Sequence, residues 1–296
     1  MTTLNPLIEK LGYGPEDRLV IFHADDVGMC HGSNQAFMEL SQAGIVKTGS
    51  IMVPCPAANE MFQLATEEPT LDLGIHLTLT CEWADYRWGP VSPHEEASAL
   101  SGSGLTASDG GMWRSREELA EHVVIEAAIG EMEAQIEYAR DAGLDFTHID
   151  THMGTAIHSD LAMTYGRLGL ENRVPLLVGR NMDIPGAAEG AAFLEAQGMP
   201  LVDWFRITPC YAPDPPDAPS AKAYEAVIRD LPPGVTYFSL HPNAPDDIEA
   251  IAGPDVAQWR IFESENIQSE RAHDFLQQEG IIPLGYREIR AVMRSE

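Results

Sequence analysis

Two adjacent carboxylates, Asp25 and Asp26, stand where an apolar run that begins at Arg18 gives way to Gly28. The run predicts a buried strand, so both carboxylates fall at or just past its carboxyl end. For this pair alone, an ordinary turn with solvated side chains is the better interpretation. A catalytic interpretation needs further polar side chains at the ends of other strands.

Three histidines end other apolar runs of the chain. His76 closes the run DLGIH, His152 closes FTHIDTH and His241 closes VTYFSLH. The carboxyl ends of parallel strands meet at one mouth of a barrel or one edge of a sheet. An aspartate and two or three histidines gathered there predict a metal site, which points to hydrolytic chemistry.

The HIDTH segment carries the strongest single signal. If the strand continues through His152, then His148, Asp150 and His152 share one face, because side chains along a strand alternate. Burying three polar groups on one strand face is costly unless they find partners. The carboxylate between two histidines is also placed to orient an imidazole through its second ring nitrogen, as outer carboxylates of metal sites do.

Asp26, His76 and His152 together supply one carboxylate and two imidazoles. These ligands suit Zn²⁺, Mn²⁺, Co²⁺, Ni²⁺ or Fe²⁺, whereas Mg²⁺ is less usual with two histidines. A metal lowers the pKa of a bound water, and a nearby carboxylate can accept the proton. We therefore assign Asp26 to the metal and Asp25 to the base, with His241 across the mouth as general acid for the leaving group.

The elements that must position these residues alternate along the chain. Strands are predicted at 18–23, 48–53, 71–79, 146–150, 174–178, 200–204, 235–240 and 281–284. Helical patterns lie between them, the longest at 115–142 with a capping-box start at Ser115. About eight strands with helical crossovers predict an α/β fold, and the count favours an irregular, TIM-like (β/α) barrel over an open sheet.

Composition limits the domain organisation and the partners. No break marks a linker, so a single domain is predicted over residues 1–296, with a loop insertion at about 81–113. The formal net charge of −28 argues against nucleic acid and anionic membranes as partners. No apolar stretch approaches the roughly 20 residues of a membrane helix. No secretion signal is visible, so a cytoplasmic location is expected.

These segments resemble the YdjC-like carbohydrate deacetylase family, also called the ChbG/HpnK family. The resemblance rests on HADDVGMCHGSNQAFMELSQAGIVKTGSIMVPCPA, LDLGIHLTLT, THIDTH and LHPN. The first segment is the most specific, because Ala-Asp-Asp-x-Gly and Asn34 recur in the family. Three positions depart from the family pattern: His23 replaces an Asn, the residues after His152 lack further histidines, and Asn243 replaces a Gly.

The resemblance implies a (β/α) barrel related to polysaccharide deacetylases. It also implies a divalent metal held at Asp26, His76 and His152, with Asp25 as the base. Zinc and magnesium are the leading candidates, and Mn, Co, Ni and Fe stay open. The implied reaction removes N-acetyl groups from a small amino-sugar oligosaccharide or glycoconjugate. Family members are often homodimers, so a homodimer is allowed.

Other side chains are predicted to support the metal ligands or to contact the sugar. They are His23, His148, Asp150, Arg206, Trp83, Trp88 and Trp113. The tryptophans are placed to stack on sugar faces, but anchoring of the loop explains them equally well.

Three alternatives remain open at this point. The nearest is a metal-dependent esterase that acts on O-acetylated sugars, since the sequence does not separate an ester from an amide. A second is a non-catalytic carbohydrate-binding or metal-binding protein on the same scaffold. A third, a metal-dependent aldolase or isomerase, usually needs a lysine or extra carboxylates, and lysine is scarce here.

Overall fold

A computed structural model of the chain describes residues 4–92, 104–157, 160–182, 186–212, 214–245 and 247–295. Within these ranges the strands form one parallel sheet in the order β4-β3-β2-β1-β6-β5, and β7 pairs with β1. The strands are β1 Arg18–Val27, β2 Thr48–Ile51, β3 Asp72–Leu77, β4 Ile149–Thr151, β5 Trp204–Ile207, β6 Gly234–Leu240 and β7 Ile281–Pro283. Strand β1 is the centre of the sheet, because it pairs with β2, β6 and β7.

Helices connect the strands and cover the outside of the sheet. They are α1 Pro6–Lys10, α2 His31–Ala43, α3 Ala58–Glu67, α4 Arg116–His122, α5 Ile125–Asp141, α6 Ala162–Asn172, α7 Ala187–Ala196, α8 Ala221–Arg229, α9 Ile248–Ala252, α10 Pro254–Ile267, α11 Glu270–Gln278 and α12 Tyr286–Arg294. Short 3₁₀ turns occupy His152–Ile157 and Pro209–Tyr211. No helix in the described ranges is long and apolar enough to cross a membrane.

The irregular (β/α) barrel is confirmed, but regular pairing covers only about half of it. The strands predicted at 174–178 and 200–204 contribute single bridges, Ile149 to Leu176 and Gly179 to Val202. Prolines in or beside these segments, Pro175 and Pro200, lack the backbone donor that a ladder needs. A complete eight-stranded TIM barrel is therefore not formed by the described residues.

The helix predicted at 115–142 is divided in two. Ser115 caps α4 as expected, since its side chain accepts from the backbone of Glu118. Val123 and Val124 then take extended backbone conformations and separate α4 from α5. A pair of β-branched residues favours this break. The predicted insertion at 81–113 contains 93–103, which lie outside the described residues.

Strand alternation explains why one mouth of the barrel is polar. On β1, Leu19 and Ile21 face an interior apolar cluster that also contains Tyr237 of β6. Further along the same face the side chains are His23 and Asp25. The inner face of β1 therefore changes from apolar to polar towards its carboxyl end.

Candidate active site

Asp25 and Asp26 reach the same site because β1 is irregular at its end. Neighbouring side chains on a regular strand point to opposite faces. Asp26 has φ +60, and the pairing of β1 with β2 shifts register between Ala24 and Val27. Aspartate tolerates this left-handed backbone better than most residues. The following Gly28 also has positive φ, and a Cβ there would lie 3.1 Å from the Ala58 backbone.

The three predicted metal ligands converge at the mouth of the barrel. Asp26, His76 and His152 are all buried, and one ligand atom from each lies within 4.8 Å of the others. The Oδ1 atom of Asp26 is 3.5 Å from His76 Nε2 and 3.2 Å from His152 Nδ1. The strand ends of β1, β3 and β4 thus bring one carboxylate and two imidazoles together.

A carboxylate holds the second nitrogen of each imidazole. Asp150 Oδ1 lies 2.8 Å from His76 Nδ1, and Glu82 Oε2 lies 2.9 Å from His152 Nε2. Asp150 thus orients His76 on the neighbouring strand rather than a histidine of its own segment. Such partners fix the ring and the tautomer of metal-ligating histidines, so His76 Nε2 and His152 Nδ1 are the nitrogens left to face an ion.

The Asp26 carboxylate fits a cation. Both of its oxygens are buried without an aligned hydrogen-bond donor in the described structure, although Arg260 Nη2 lies 2.8 Å from Oδ2. Burial raises the pKa of Asp26, but the charges of Arg260 and His152 outweigh it and hold the pKa well below its usual range. An ionised, buried carboxylate beside two imidazoles is a donor set that suits a divalent metal.

His152 carries a proton that a metal would replace. Burial lowers its pKa, but the carboxylates of Glu82 and Asp26 outweigh burial and raise the pKa to about 10. A histidine must be neutral to ligate. A metal bound at this site would therefore displace a proton from His152.

Asp25 lies beside the three predicted metal ligands and accepts or shares several hydrogen bonds. Its Oδ1 is 2.6 Å from His23 Nδ1 and accepts from Tyr237 Oη at 2.6 Å. Its Oδ2 accepts from Ser239 Oγ at 2.7 Å. Burial raises the pKa of Asp25, but the hydrogen bond and charge of His23 bring the net pKa below the usual value. Asp25 is thus an ionised carboxylate held at both oxygens.

His241 lies on the same side of Asp25 as Ser239. Its Nε2 is 3.8 Å from Asp25 Oδ2, and its Nδ1 is buried without a hydrogen-bond partner in the described residues. The backbone N–H of His241 donates to Glu263 at 2.6 Å, and the ring packs edge-on against Tyr211 at 5.2 Å. His241 therefore lies at the mouth of the barrel, and its Nδ1 has no hydrogen-bond partner among the described residues.

The three candidate tryptophans take different positions relative to the charged part of the site. Trp83 lies under the guanidinium of Arg260, whose Cζ is 5.6 Å from the ring centroid. Trp88 is buried and its indole donates to the Thr80 carbonyl at 3.0 Å. Its ring packs edge-on against His152 with centroids 6.4 Å apart, so it supports His152 rather than offering a face to a sugar. Trp113 stacks on His122 with centroids 4.0 Å apart, which anchors the loop.

Arg206 makes no contact with the site in the described structure. It lies on β5, and its guanidinium donates to the carbonyl of Phe205 at 2.9 Å. Phe205 stacks on Tyr237 at 5.8 Å, so alternation turns Arg206 towards the opposite face of β5. The predicted substrate contact through Arg206 is not supported by this placement.

Several site residues were missed by the sequence reasoning. They are Ser50, Glu82, Tyr237, Ser239, Arg260 and Glu263. Tyr237 and Ser239 alternate with apolar neighbours and lie in phase with His241, so period-two spacing could have found them. Glu82 lies in a loop and Arg260 in a helix, and each is far in sequence from the site residue that it contacts. No local pattern therefore marks them.

The contact between Glu82 and His152 gives a test of the metal site. We expect Glu82→Gln to weaken divalent-metal affinity by about 10- to 100-fold, the range typical of an outer partner of a metal ligand. A chelator-competition titration measures this affinity. Asp85 is exposed in the same loop, so Asp85→Asn serves as the control and should bind metal normally. Equal affinity in Glu82→Gln and wild type would contradict the assigned role of Glu82.

Comparison with known proteins identifies the family. The family model described as YdjC-like protein matches residues 19–278. The chain belongs to the YdjC-like family. The carbohydrate deacetylase of Thermus thermophilus is 32% identical over 257 residues, which is 84% of this chain and 86% of that relative. The carbohydrate deacetylase of Vibrio parahaemolyticus is 30% identical over 53% of this chain and 57% of that relative.

A solved structure shares the YdjC-like fold. The crystal structure of a putative cellobiose-phosphate cleavage protein from Enterococcus faecalis superimposes with a TM-score of 0.75. Its identity is 22%, and the alignment covers 92% of this YdjC-like chain and 99% of the other. The likeness establishes the fold, while the chemistry has to be argued from the site.

Proposed function

We propose that this YdjC-like protein is a divalent-metal-dependent hydrolase that removes N-acetyl groups from a small amino-sugar oligosaccharide or glycoconjugate. The observation that carries the proposal is the convergence of Asp26, His76 and His152 with Asp25 beside them. The curated relatives named carbohydrate deacetylase support the substrate class.

The chain supplies the ligands and the proton acceptor. A divalent metal at Asp26, His76 and His152 would polarise the acetyl carbonyl and make an attacking water more acidic. Asp25 takes the proton of that water at Oδ2, the oxygen that faces His241. Tyr237 and Ser239 hold the Asp25 carboxylate in place, so it does not have to reorient during the reaction.

His241 completes the reaction as the acid. An amine is a poor leaving group unless it is protonated, so hydrolysis of an amide needs a proton donor as well as a base. His241 Nε2 lies 3.8 Å from Asp25 Oδ2, whereas its Nδ1 is buried, so Nε2 is the nitrogen placed to donate the proton. Its position is held by the backbone hydrogen bond to Glu263, whose other oxygen accepts from Tyr224 at 2.7 Å.

Two aromatic side chains flank the mouth and are the better candidates for sugar contact. Tyr211 packs on His241 and is 47% exposed, and the half-buried Trp83 lies under the guanidinium of Arg260. An accessible aromatic ring offers an apolar face with a polar tip, which suits a sugar. The net charge of −28 favours a neutral or cationic substrate over an anionic one.

The test is acetate release from matched N-acetylated and O-acetylated sugars. We expect acetate and free amine in equal amounts from small N-acetylated amino-sugar oligosaccharides, at a rate about 10²- to 10⁴-fold lower in the Asp25→Asn variant. Acetate from O-acetylated sugars alone would assign the protein to the esterases. Sugar binding without acetate from either set would identify a binding protein and overturn the proposal.

A further inference from the structure

A continuous line of buried hydrogen bonds leads away from Asp25 through the interior of the barrel. Asp25 Oδ1 is 2.6 Å from His23 Nδ1, and His23 Nε2 is 2.7 Å from His148 Nε2. His148 Nδ1 is 2.9 Å from Thr147 Oγ1, which donates to Asp72 Oδ1 at 2.5 Å. Every one of these side chains belongs to a buried residue.

The line spans the length of the sheet. Asp72 is the first residue of β3, whereas His76 lies near its carboxyl end at the metal cluster. Asp25 lies at the carboxyl end of β1. The hydrogen bonds therefore connect the mouth of the barrel with the amino ends of its strands.

The space around the His148 imidazole fits the ring closely. The imidazole stacks on Tyr286 with centroids 3.9 Å apart and an interplanar angle of 14°. It also lies against Gly74, where an added Cβ would come within 2.5 Å of the ring. Residue 74 must therefore be glycine for His148 to occupy this place.

The same histidines also lie near Asp150, and these three residues have donor atoms within 4.8 Å of one another. An ion between them is nevertheless disfavoured by their hydrogen bonds. Both ring nitrogens of His23 and both of His148 already meet partners. These contacts favour proton transfer over metal binding.

The hydrogen bonds at Asp72 determine which ring nitrogen of His148 carries a proton. The Asp72 carboxylate accepts from Thr48 Oγ1 at 3.2 Å, from the backbone N–H of Arg287 at 2.8 Å and from Thr147. Because Thr147 gives its proton to Asp72, its oxygen must accept from His148 Nδ1–H. His148 Nε2 is then a bare nitrogen. Burial and the nearby His23 hold the pKa of His148 well below its usual range, which agrees with a neutral ring.

The tautomer of His148 in turn determines which nitrogen of His23 donates to it. A bare His148 Nε2 requires His23 Nε2 to carry a proton and donate it. His23 Nδ1 and Asp25 Oδ1, only 2.6 Å apart, then share one further proton. Tautomers are set by the network, so this assignment follows from the order of partners along the line.

We infer that His23, His148, Thr147 and Asp72 form a proton relay behind Asp25. The inference rests on the proposed function only for the role of Asp25 as base. When Asp25 gains a proton at Oδ2, the proton it shares at Oδ1 settles on His23 Nδ1, and His23 passes its Nε2 proton to His148 Nε2. His148 passes its Nδ1 proton to Thr147, which passes its own to Asp72. One proton enters at Asp25 and one arrives at Asp72. Counting the shared proton with His23, Asp25 gains one proton and His23 gives one up, while His148 and Thr147 end with the number of protons they began with.

Other titratable groups face the relay. Tyr237 Oη lies 2.8 Å from His23 Nδ1 and 2.9 Å from Asp150 Oδ2. Asp150 Oδ2 is itself 3.7 Å from His23 Nε2, and its other oxygen is paired with His76. Tyr286 packs against both imidazoles. The Asp150 carboxylate stabilises positive charge on His23 while a proton passes.

The relay can be tested without substrate. In the full-length chain labelled with ¹⁵N-histidine, we expect His148 to be protonated at Nδ1 and bare at Nε2, and His23 to be protonated at Nε2. Thr147→Val removes the acceptor for His148 Nδ1–H. We therefore expect the His148 ring to invert, with its two ¹⁵N shifts exchanging between the protonated and bare ranges, and His23 Nε2 to move from the protonated to the bare range. Thr147→Ser keeps the hydroxyl and should retain the wild-type pattern.

Two results would overturn the relay. One is a wild-type His148 protonated at Nε2, and the other is a His23 spectrum that is the same in Thr147→Val and Thr147→Ser. If Thr147→Val does not fold, the wild-type spectrum and a ¹⁵N–¹⁵N coupling across the two Nε2 atoms decide the question. Absence of that coupling in folded wild type would also refute the relay.

Kinetics supply a second readout. With a substrate that releases acetate, Thr147→Val should lower kcat by up to about 10²-fold at unchanged KM, the lower end of the effect of a positioned proton-transfer group. Thr147→Ser should restore kcat. Acetate release that is absent in wild type overturns the proposed function, whereas the spectra still decide whether the relay exists.

Discussion

Asp25→Asn should lower kcat by about 10²- to 10⁴-fold, the contribution of a positioned general base. The amide has nearly the shape of the carboxylate but cannot take a proton from water at neutral pH. Tyr237 and Ser239 are hydroxyl groups that can turn to suit an amide, so the fold should be retained. Steady-state acetate release measures the loss.

The same variant should keep its metal, because Asp25 is beside the ligand set rather than in it. Elemental analysis of Asp25→Asn should therefore give the wild-type metal content. Asp141 is an exposed carboxylate at the end of α5, and Asp141→Asn controls for the loss of one charge. Near-normal turnover in Asp25→Asn would remove Asp25 from the role of base.

Asp26→Asn should lose metal binding and, with it, turnover. Asparagine tolerates the left-handed backbone at this position, but it lacks the charge that ligates a cation. We expect the affinity to fall by more than the roughly 10- to 100-fold typical of an outer partner. Chelator competition and acetate release report the two losses. Unchanged metal affinity would contradict the assignment of Asp26.

Loss of the Asp26 charge has a second consequence, because Arg260 is buried and lies 2.8 Å from that carboxylate. Removing one partner of a buried ion pair costs about 3–5 kcal/mol, whereas an apolar replacement of both is often nearly neutral. The metal-free Asp26→Asn variant should therefore be less stable to urea. Asp26→Asn combined with Arg260→Met should recover stability without recovering metal, which separates misfolding from loss of a ligand.

The positions of the strand-end residues could be predicted from the sequence, because the end of a strand is a local feature. The apolar runs before Asp25, His76 and His241 are long, and each is a regular strand in the structure. Parallel pairing then brings the ends together without further information. The pairing of segments 174–178 and 200–204 was harder to predict, because prolines in or beside them reduce it to single bridges.

The contacts around those residues depended on tertiary structure that no local pattern carries. Arg260 reaches Asp26 from α10, and Glu82 reaches His152 from the loop after β3. The sequence left two roles open for the tryptophans of that loop, sugar stacking and anchoring of the loop. The indole of Trp88 pairs with a buried carbonyl and that of Trp113 with Gly104, so these rings pack within the protein.

Anomalous diffraction from a crystal of the metal-loaded protein tests the central claim most directly. With zinc or manganese bound, we expect one strong peak in contact with Asp26, His76 Nε2 and His152 Nδ1. A peak between His23, His148 and Asp150 instead, or no peak at either cluster under saturating metal, would contradict the proposed metal centre.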